Sequence, residues 1–188
     1  MTFRFRTVRA ALLASAIVAS AGAQAVPLKT DLAHSKVSAV FKQMNVPLDA
    51  SFKKFAAQID YDAAKPEASR ASVEIDTASL DLGEAEMNKE VAAKSWFNSA
   101  QFPKATFVSS SIKPAGAGKL TVSGKLTIKG KSADVSFPLN VKADASKQVF
   151  EGALPIKRLA FNVGEAEWKD TSIVADEVTI KFSISTAR

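Results

Sequence analysis

The stretch Leu120-Thr121-Val122-Ser123-Gly124-Lys125-Leu126-Thr127-Ile128 alternates between apolar or small residues and polar ones for nine positions. A period of two is the mark of a strand with one face buried and the other in water. Working outward, the same alternation recurs at Val37, Ala39 and Phe41, at Phe55, Ala57, Ile59 and Tyr61, at Val73 and Ile75, and at Phe107, Ser109 and Ser111. It returns at Val135, Phe137, Leu139 and Val141, at Phe150, Gly152, Leu154 and Ile156, and at Val178, Ile180, Phe182 and Ile184, so eight strands are expected.

Turn-forming residues interrupt these runs at Asn45-Val46-Pro47, Lys65-Pro66, Lys113-Pro114-Ala115-Gly116, Lys129-Gly130-Lys131 and Ala143-Asp144-Ala145-Ser146. Links this short pair neighbouring strands antiparallel, because a parallel crossover needs a dozen or more residues. Between Leu82 and Phe107 the period becomes helical, with Met87 and Val91 four apart and Glu90 one turn before Lys94. One short helix is therefore predicted between the third and fourth strands, ending near Trp96-Phe97, before Pro103 restores extended backbone. The fold class is all-β. Pattern alone allows a barrel or a sandwich; the barrel is the expected solution, because closure removes the exposed edges of a sheet with no disulfide to guard it.

The first 25 residues read separately. Arg4, Arg6 and Arg9 precede a 12-residue apolar run, Ala10 to Ala21, followed by Ala23-Gln24-Ala25. This is the pattern of a secretory leader cleaved before Val26, with a cut two residues earlier also permitted, and the run is too short to span a bilayer. The expected organisation is a signal peptide over residues 1–25 and one domain over 26–188, with no membrane-spanning segment in the mature chain. The net charge of +6 largely belongs to the leader: without it, 25 basic residues fall to 22 against 19 acidic ones, leaving +3. That balance argues against a nucleic-acid partner. The absence of cysteine excludes thiol catalysis, Cys-based zinc sites and covalent haem attachment.

The polar motifs do not assemble into chemistry. Asp31, His34 and Ser35 supply the residue types of a catalytic triad, yet adjacent His34 and Ser35 point to opposite faces of an extended chain. No Gly-x-Ser-x-Gly elbow is present. Asp60/Asp62 and Glu165/Glu167 each place two carboxylates on one side of an extended segment without a calcium-loop pattern, so they read as turn caps, and no metal or cofactor is expected. Gly116-Ala117-Gly118 lacks the following helix that a phosphate cradle needs. The protein is therefore read as a binder rather than an enzyme.

Ten phenylalanines outside the leader, with Trp96, Trp168 and Tyr61, lie mostly on the apolar strand faces. In a filled barrel they are simply core; in an eight-stranded barrel with room inside they line a cavity for one small ligand. Ala39, Ala57, Ser109, Ser111, Gly124 and Gly152 on the same faces favour room. Both outcomes stay open at this level, and the filled barrel would serve as an envelope protein-interaction module.

Several segments carry a resemblance to a known family. Asp31-Leu-Ala-His34-Ser35-Lys-Val37 resembles the opening strand of the YceI-like polyisoprenoid-binding proteins, and Phe52-Lys-Lys-Phe55 the second. The run from Trp96 to Ser109 is similar to their helix-to-strand segment, and Gly124-Lys-Leu126-Thr127-Ile128-Lys-Gly130-Lys to their hairpin. Ile156-Lys-Arg158-Leu-Ala-Phe161 and Asp176-Glu-Val178 complete the match; Gln43 and Ala160 depart from it, where many members have His and Asp. The resemblance implies a lipocalin-like eight-stranded antiparallel barrel, a periplasmic address, and an elongated apolar pocket that sequesters or transports a long isoprenoid of quinone or polyprenyl type, without catalysis, in a monomer or homodimer. Strand parity then assigns Phe41, Ile59, Ile75, Phe107, Val122, Leu126, Phe137, Phe150, Ile180 and Phe182 to the lining, with Trp96 and Phe97 near the helix and His34, Lys157 and Arg158 near a mouth as head-group contacts.

Overall fold

A computed structural model describes residues 26–144 and 146–187; the expected leader lies outside them. The strands are β1 (Val26–Gln43), β2 (Val46–Phe52), β3 (Phe55–Tyr61), β4 (Arg70–Asp76), β5 (Leu80–Asp81), β6 (Lys104–Gly116), β7 (Lys119–Ile128), β8 (Lys131–Ala143), β9 (Lys147–Lys157) and β10 (Glu177–Ala187), with one α-helix, α1 (Ala85–Ala92). Every pairing is antiparallel. The order β10-β9-β8-β7-β6-β4-β3-β1 closes on itself because β1 also pairs β10, from Lys29 against Ala187 to Val40 against Thr179. The closed ring holds the eight strands expected from the alternation.

The two further strands come from β1 being 18 residues long. Its start pairs β3 and its end pairs β2, so β2 and β3 form one line along β1, broken at Lys53-Lys54. Ser79 fills that break: its carbonyl accepts from Lys53 N–H, and its Oγ accepts from Lys54 N–H. β5 adds two residues outside β2.

Two turns fall elsewhere than expected. The β1–β2 hairpin turns at Met44 and Asn45, with φ of 47° and 64°, and Val46 and Pro47 already belong to β2. Paired positive φ values are what a two-residue hairpin matching strand twist requires, and Pro47 is tolerated because β2 has no second neighbour at that level. Likewise Lys113-Pro114-Ala115-Gly116 completes β6, and the chain reverses at Ala117-Gly118. The helix ends at Ala92, short of Trp96-Phe97, because Ala93 turns extended with ψ of 173° and carries the two aromatics on the turns that follow. Glu90 is met by Ser95 Oγ at 3.4 Å.

Parity holds along β7, where Leu120, Val122, Gly124, Leu126 and Ile128 are all buried. It breaks in β6. A bulge between Ser109 and Ser111 shifts the register against β7, so that Ile112 takes the inward place and Ser111 faces outward. The Ser109 hydroxyl repairs the adjacent wall by accepting from Ala71 N–H at 2.9 Å.

The inward glycines do not leave room, as their size alone suggests, because phenylalanine rings lie on them. A Cβ at Gly124 would stand 2.4 Å from the Val108 carbonyl of the bulge and 2.6 Å from the Phe107 ring; at Gly152 it would stand 2.4 Å from the ring of Phe182. Phe107, Phe137 and Phe182 thus form a belt across β6 to β10, with centroids 5.4 and 5.5 Å apart in tilted and edge-to-face contact. Gly124→Ala is expected to lower stability by about 1–3 kcal/mol, because a backbone carbonyl must move. Gly152→Ala, where a ring end gives way, is expected to cost less. Chemical denaturation of the two variants measures this order, and an unchanged midpoint for Gly124→Ala would contradict it.

Candidate functional site: the barrel cavity

The ring encloses more space than its inward side chains fill. A cavity of about 340 Å³ runs inside it, within the usual range of ligand pockets of roughly 300–1,000 Å³. Leu120 and Ile128, eight residues apart on β7, both line it, which at about 3.3 Å per residue gives a length of about 26 Å along the strand. Phe107, Ile180 and Phe182 point inward yet are only partly buried, because they face this space rather than one another. The interior is therefore not that of a filled barrel.

At one end, the end of β3 and the start of β9 bring Tyr61 and Phe150 edge to face, 5.3 Å apart, beside buried Leu120, Leu139 and Ile184, with Asp60 and Ser69 also on the wall. Burial lifts the Tyr61 phenol above its ordinary range, with Asp62 adding to the effect. The other end is roofed by α1, the turns after it, and the segment from Arg158 to Asp176. Of the side chains lining the cavity, Met87 and Glu90, both on α1, are exposed, so the cavity reaches solvent at α1, with Phe41 and Gln43 of β1 also on its wall.

Two buried cations hold the roof. The Arg158 guanidinium, 3% exposed, has five N–H donors, and all are taken by carbonyls: Nε by Ala175, Nη1 by Val163 and Gly164, Nη2 by Trp168 and Val174. It also lies over the Trp96 ring, 5.5 Å from its centre. Burial pulls the guanidinium below its ordinary pKa, with Asp176 opposing. Gly164, at φ of 84°, is the residue that admits this cation, since a Cβ there would stand 2.0 Å from Nη1. Lys129, in the β7–β8 turn, gives its three ammonium protons to the Lys94 and Asn162 carbonyls at 2.9 and 2.8 Å and to Glu165 Oε2 at 2.8 Å. That ammonium holds the Glu165 carboxyl below its ordinary 4.5.

All twelve residues assigned to the lining by parity and by the helix sit on the cavity wall: Phe41, Ile59, Ile75, Trp96, Phe97, Phe107, Val122, Leu126, Phe137, Phe150, Ile180 and Phe182. The three expected at a mouth are not brought together. Exposed His34 pairs with Asp31 at 2.7 Å outside the cavity, and Lys157 points outward, 3.6 Å from Glu177. Arg158 does reach the cavity, but with no N–H left to give. Ser35 Oγ donates to the Asp31 carbonyl and accepts from Ser185 N–H, so its hydroxyl serves the β1–β10 seam and is not turned to His34. Among the described residues no three His, Cys, Asp or Glu side chains cluster as a metal site.

Sequence reasoning missed the roof's share of the lining: Leu80, Leu82, Met87 and Val91 before and on α1, and Phe161, Val163, Trp168 and Val174 beyond β9. The spacing of Met87 and Val91 was a usable signal. The segment after Arg158 had none, because short 3₁₀ turns (Arg158–Phe161 and Ala166–Lys169) carry no sustained period.

Arg158→Lys, leaving at least two buried carbonyls unmet, is expected to cost more than about 3 kcal/mol, whereas Lys157→Met on the surface should stay within about 0.5 kcal/mol. Denaturant melts compare them directly. Because the Glu165 carboxyl is lowered in the folded state, its contribution is complete above 4.5 and disappears as pH falls through its folded value. Lys129→Met should therefore flatten the acid side of the stability–pH curve, and an unaltered slope would show that this ion pair does not hold the roof.

The comparisons with known proteins agree with this architecture. The family model of the YceI-like domain matches residues 28–186. The UPF0312 protein of Shewanella putrefaciens (strain CN-32) is 33% identical over 138 residues, 72% of this chain and 70% of its own length. The crystal structure of Burkholderia cenocepacia BcnA is 57% identical and superposes with a TM-score of 0.82, over 84% of this chain and 99% of that one. A domain of Saccharophagus degradans described as polyisoprenoid-binding, 17% identical, shares the fold with a TM-score of 0.67, over 87% of this chain and 99% of its own. With a family match across its whole barrel, the chain belongs to the YceI-like domain family.

Proposed function

We propose that this protein is exported to the periplasm and there sequesters or carries a long isoprenoid chain, of quinone or polyprenyl type, inside the barrel. The observation that carries the reading is a cavity about 26 Å long along β7, walled by apolar side chains, whose one lining cation, Arg158, has all its donors engaged. Burial supplies the binding energy: each CH₂ removed from water contributes about 0.8 kcal/mol, so a long tail is retained with few polar contacts. An anionic head group would find no free cation on the wall, where Asp60 and Glu90 are carboxylates, and would lose its hydration, so the tail enters and the head stays at the mouth, near Gln43. The likeness to a polyisoprenoid-binding domain supports the same ligand class. No catalytic step belongs to this reading: the Asp31-His34 pair faces solvent and Ser35 is occupied by backbone.

Mass spectrometry of protein purified from its native source tests both halves. The intact mass should correspond to a chain beginning at Val26, and the organic extract should contain an isoprenoid. Leu126→Trp, which sends a larger ring into the cavity from the middle of β7, should lower isoprenoid affinity at least about tenfold while the barrel stays folded. A folded Leu126→Trp variant with undiminished affinity, or native protein free of any hydrocarbon guest, would overturn the reading.

A further inference from the structure

The cavity mouth adjoins a group of apolar side chains that the fold leaves in water. Among the described residues six large apolar side chains are exposed; Met44 at 68%, Val46 at 58% and Ile173 at 38% gather at the roofed end, and a fourth, Met87 at 38%, lines the cavity there. The remaining two, Leu32 and Val108, lie on β1 and β6, on the barrel wall.

The group is held rigidly. Met44 and Asn45 form the tight β1–β2 turn, and Met44 N–H donates to the Ile173 carbonyl at 2.8 Å. The preceding pair, Gln43 and Val174, forms an isolated bridge, and both line the cavity. Ala175 N–H donates to the Lys42 carbonyl at 2.9 Å, which ties the segment between Arg158 and Asp176 to the same hairpin. Each chain thus passes in one residue step from cavity wall to exposed rim: Gln43 to Met44, and Val174 to Ile173. Lys42 to Pro47 contains one lysine and no acid, and the nearby Asp170 carboxylate is engaged by Ser172 N–H and Oγ.

We infer that this rim, Met44, Val46 and Ile173, is a docking surface for a lipid bilayer, through which the ligand enters and leaves the cavity. The inference rests on the lipid-binding reading above and adds where and how the exchange takes place. The cargo dictates the partner: a hydrocarbon tail crossing through water would expose every CH₂ at once, whereas an apolar rim continuous with the cavity wall lets it slide from bilayer to barrel. Exposed apolar groups of this kind mark interaction sites, and a short apolar tip beside Lys42 suits the acyl–head-group boundary.

The test follows transfer of dansyl-labelled geranylgeraniol from phosphatidylcholine vesicles to the full-length exported protein. With docking, the transfer rate rises with vesicle concentration, and the triple variant Met44→Asn, Val46→Thr, Ile173→Thr slows it at least about tenfold. The wall variant Leu32→Thr, Val108→Thr should transfer at the wild-type rate, and all three proteins should take up the probe equally from an ethanol dispersion. Met44→Asn alone, which suits the positive φ, provides the same comparison with a smaller effect should the triple variant fail to fold. A rate independent of vesicle concentration, or unchanged in a folded rim variant, overturns the inference while leaving lipid binding intact. A wild-type dimer that the rim substitutions convert to a monomer would assign the surface to a second copy and likewise overturn it. Failure of the wild type to take up the probe from dispersion would defeat the lipid-binding reading itself, and the docking surface with it.

Discussion

The seam between β1 and β10 joins the two ends of the described chain, with Lys29 opposite Ala187 and Val37 opposite Phe182. These pairings turn a meander of antiparallel strands into a ring with no open side, and a ring of eight strands has a definite girth. The inward residues must fill that girth or leave it partly empty. Here they leave it partly empty, and the cavity, its apolar wall and the need for a roof all follow from closure. Ser35 strengthens the seam at its irregular point, where the register slips between Asp31 and Lys36 and its hydroxyl accepts from Ser185 N–H.

What keeps the interior from collapsing is where the aromatic rings rest. Phe107 and Phe182 lie against Gly124 and Gly152 on neighbouring strands, so their bulk is laid along the wall, and Phe137 bridges them. A packed core places large residues against large ones and closes on itself. This barrel seats Phe107 and Phe182 on glycines, and partly exposed inward side chains border the remaining space.

The roof solves a different problem. Loops over a barrel end expose many backbone carbonyls, and burying them without donors is costly. Arg158 answers five of them and Lys129 two more, so two cations are spent on holding the irregular segments rather than on a ligand. The arginine in the cavity wall therefore keeps no donor free for a ligand.

The residues themselves determined the ring. Period two in eight runs fixes which side chains share a face, since alternate Cβ atoms must point to opposite sides of a strand, and the twelve lining residues follow from parity or from their place beside the helix. That inference is local and survives wherever register is regular; it failed at Ser111, where the β6 bulge exchanged faces, because a bulge is set by the partner strand and leaves no trace in the period. Tertiary structure alone decided the rest. Whether Gly124 meant space or a seat for a ring depended on Phe107 coming from another strand, and whether Arg158 faced a ligand or five carbonyls depended on a segment without periodicity folding back over it. Contacts between residues far apart in the chain, made through backbone groups that every residue carries alike, cannot be read from side-chain order.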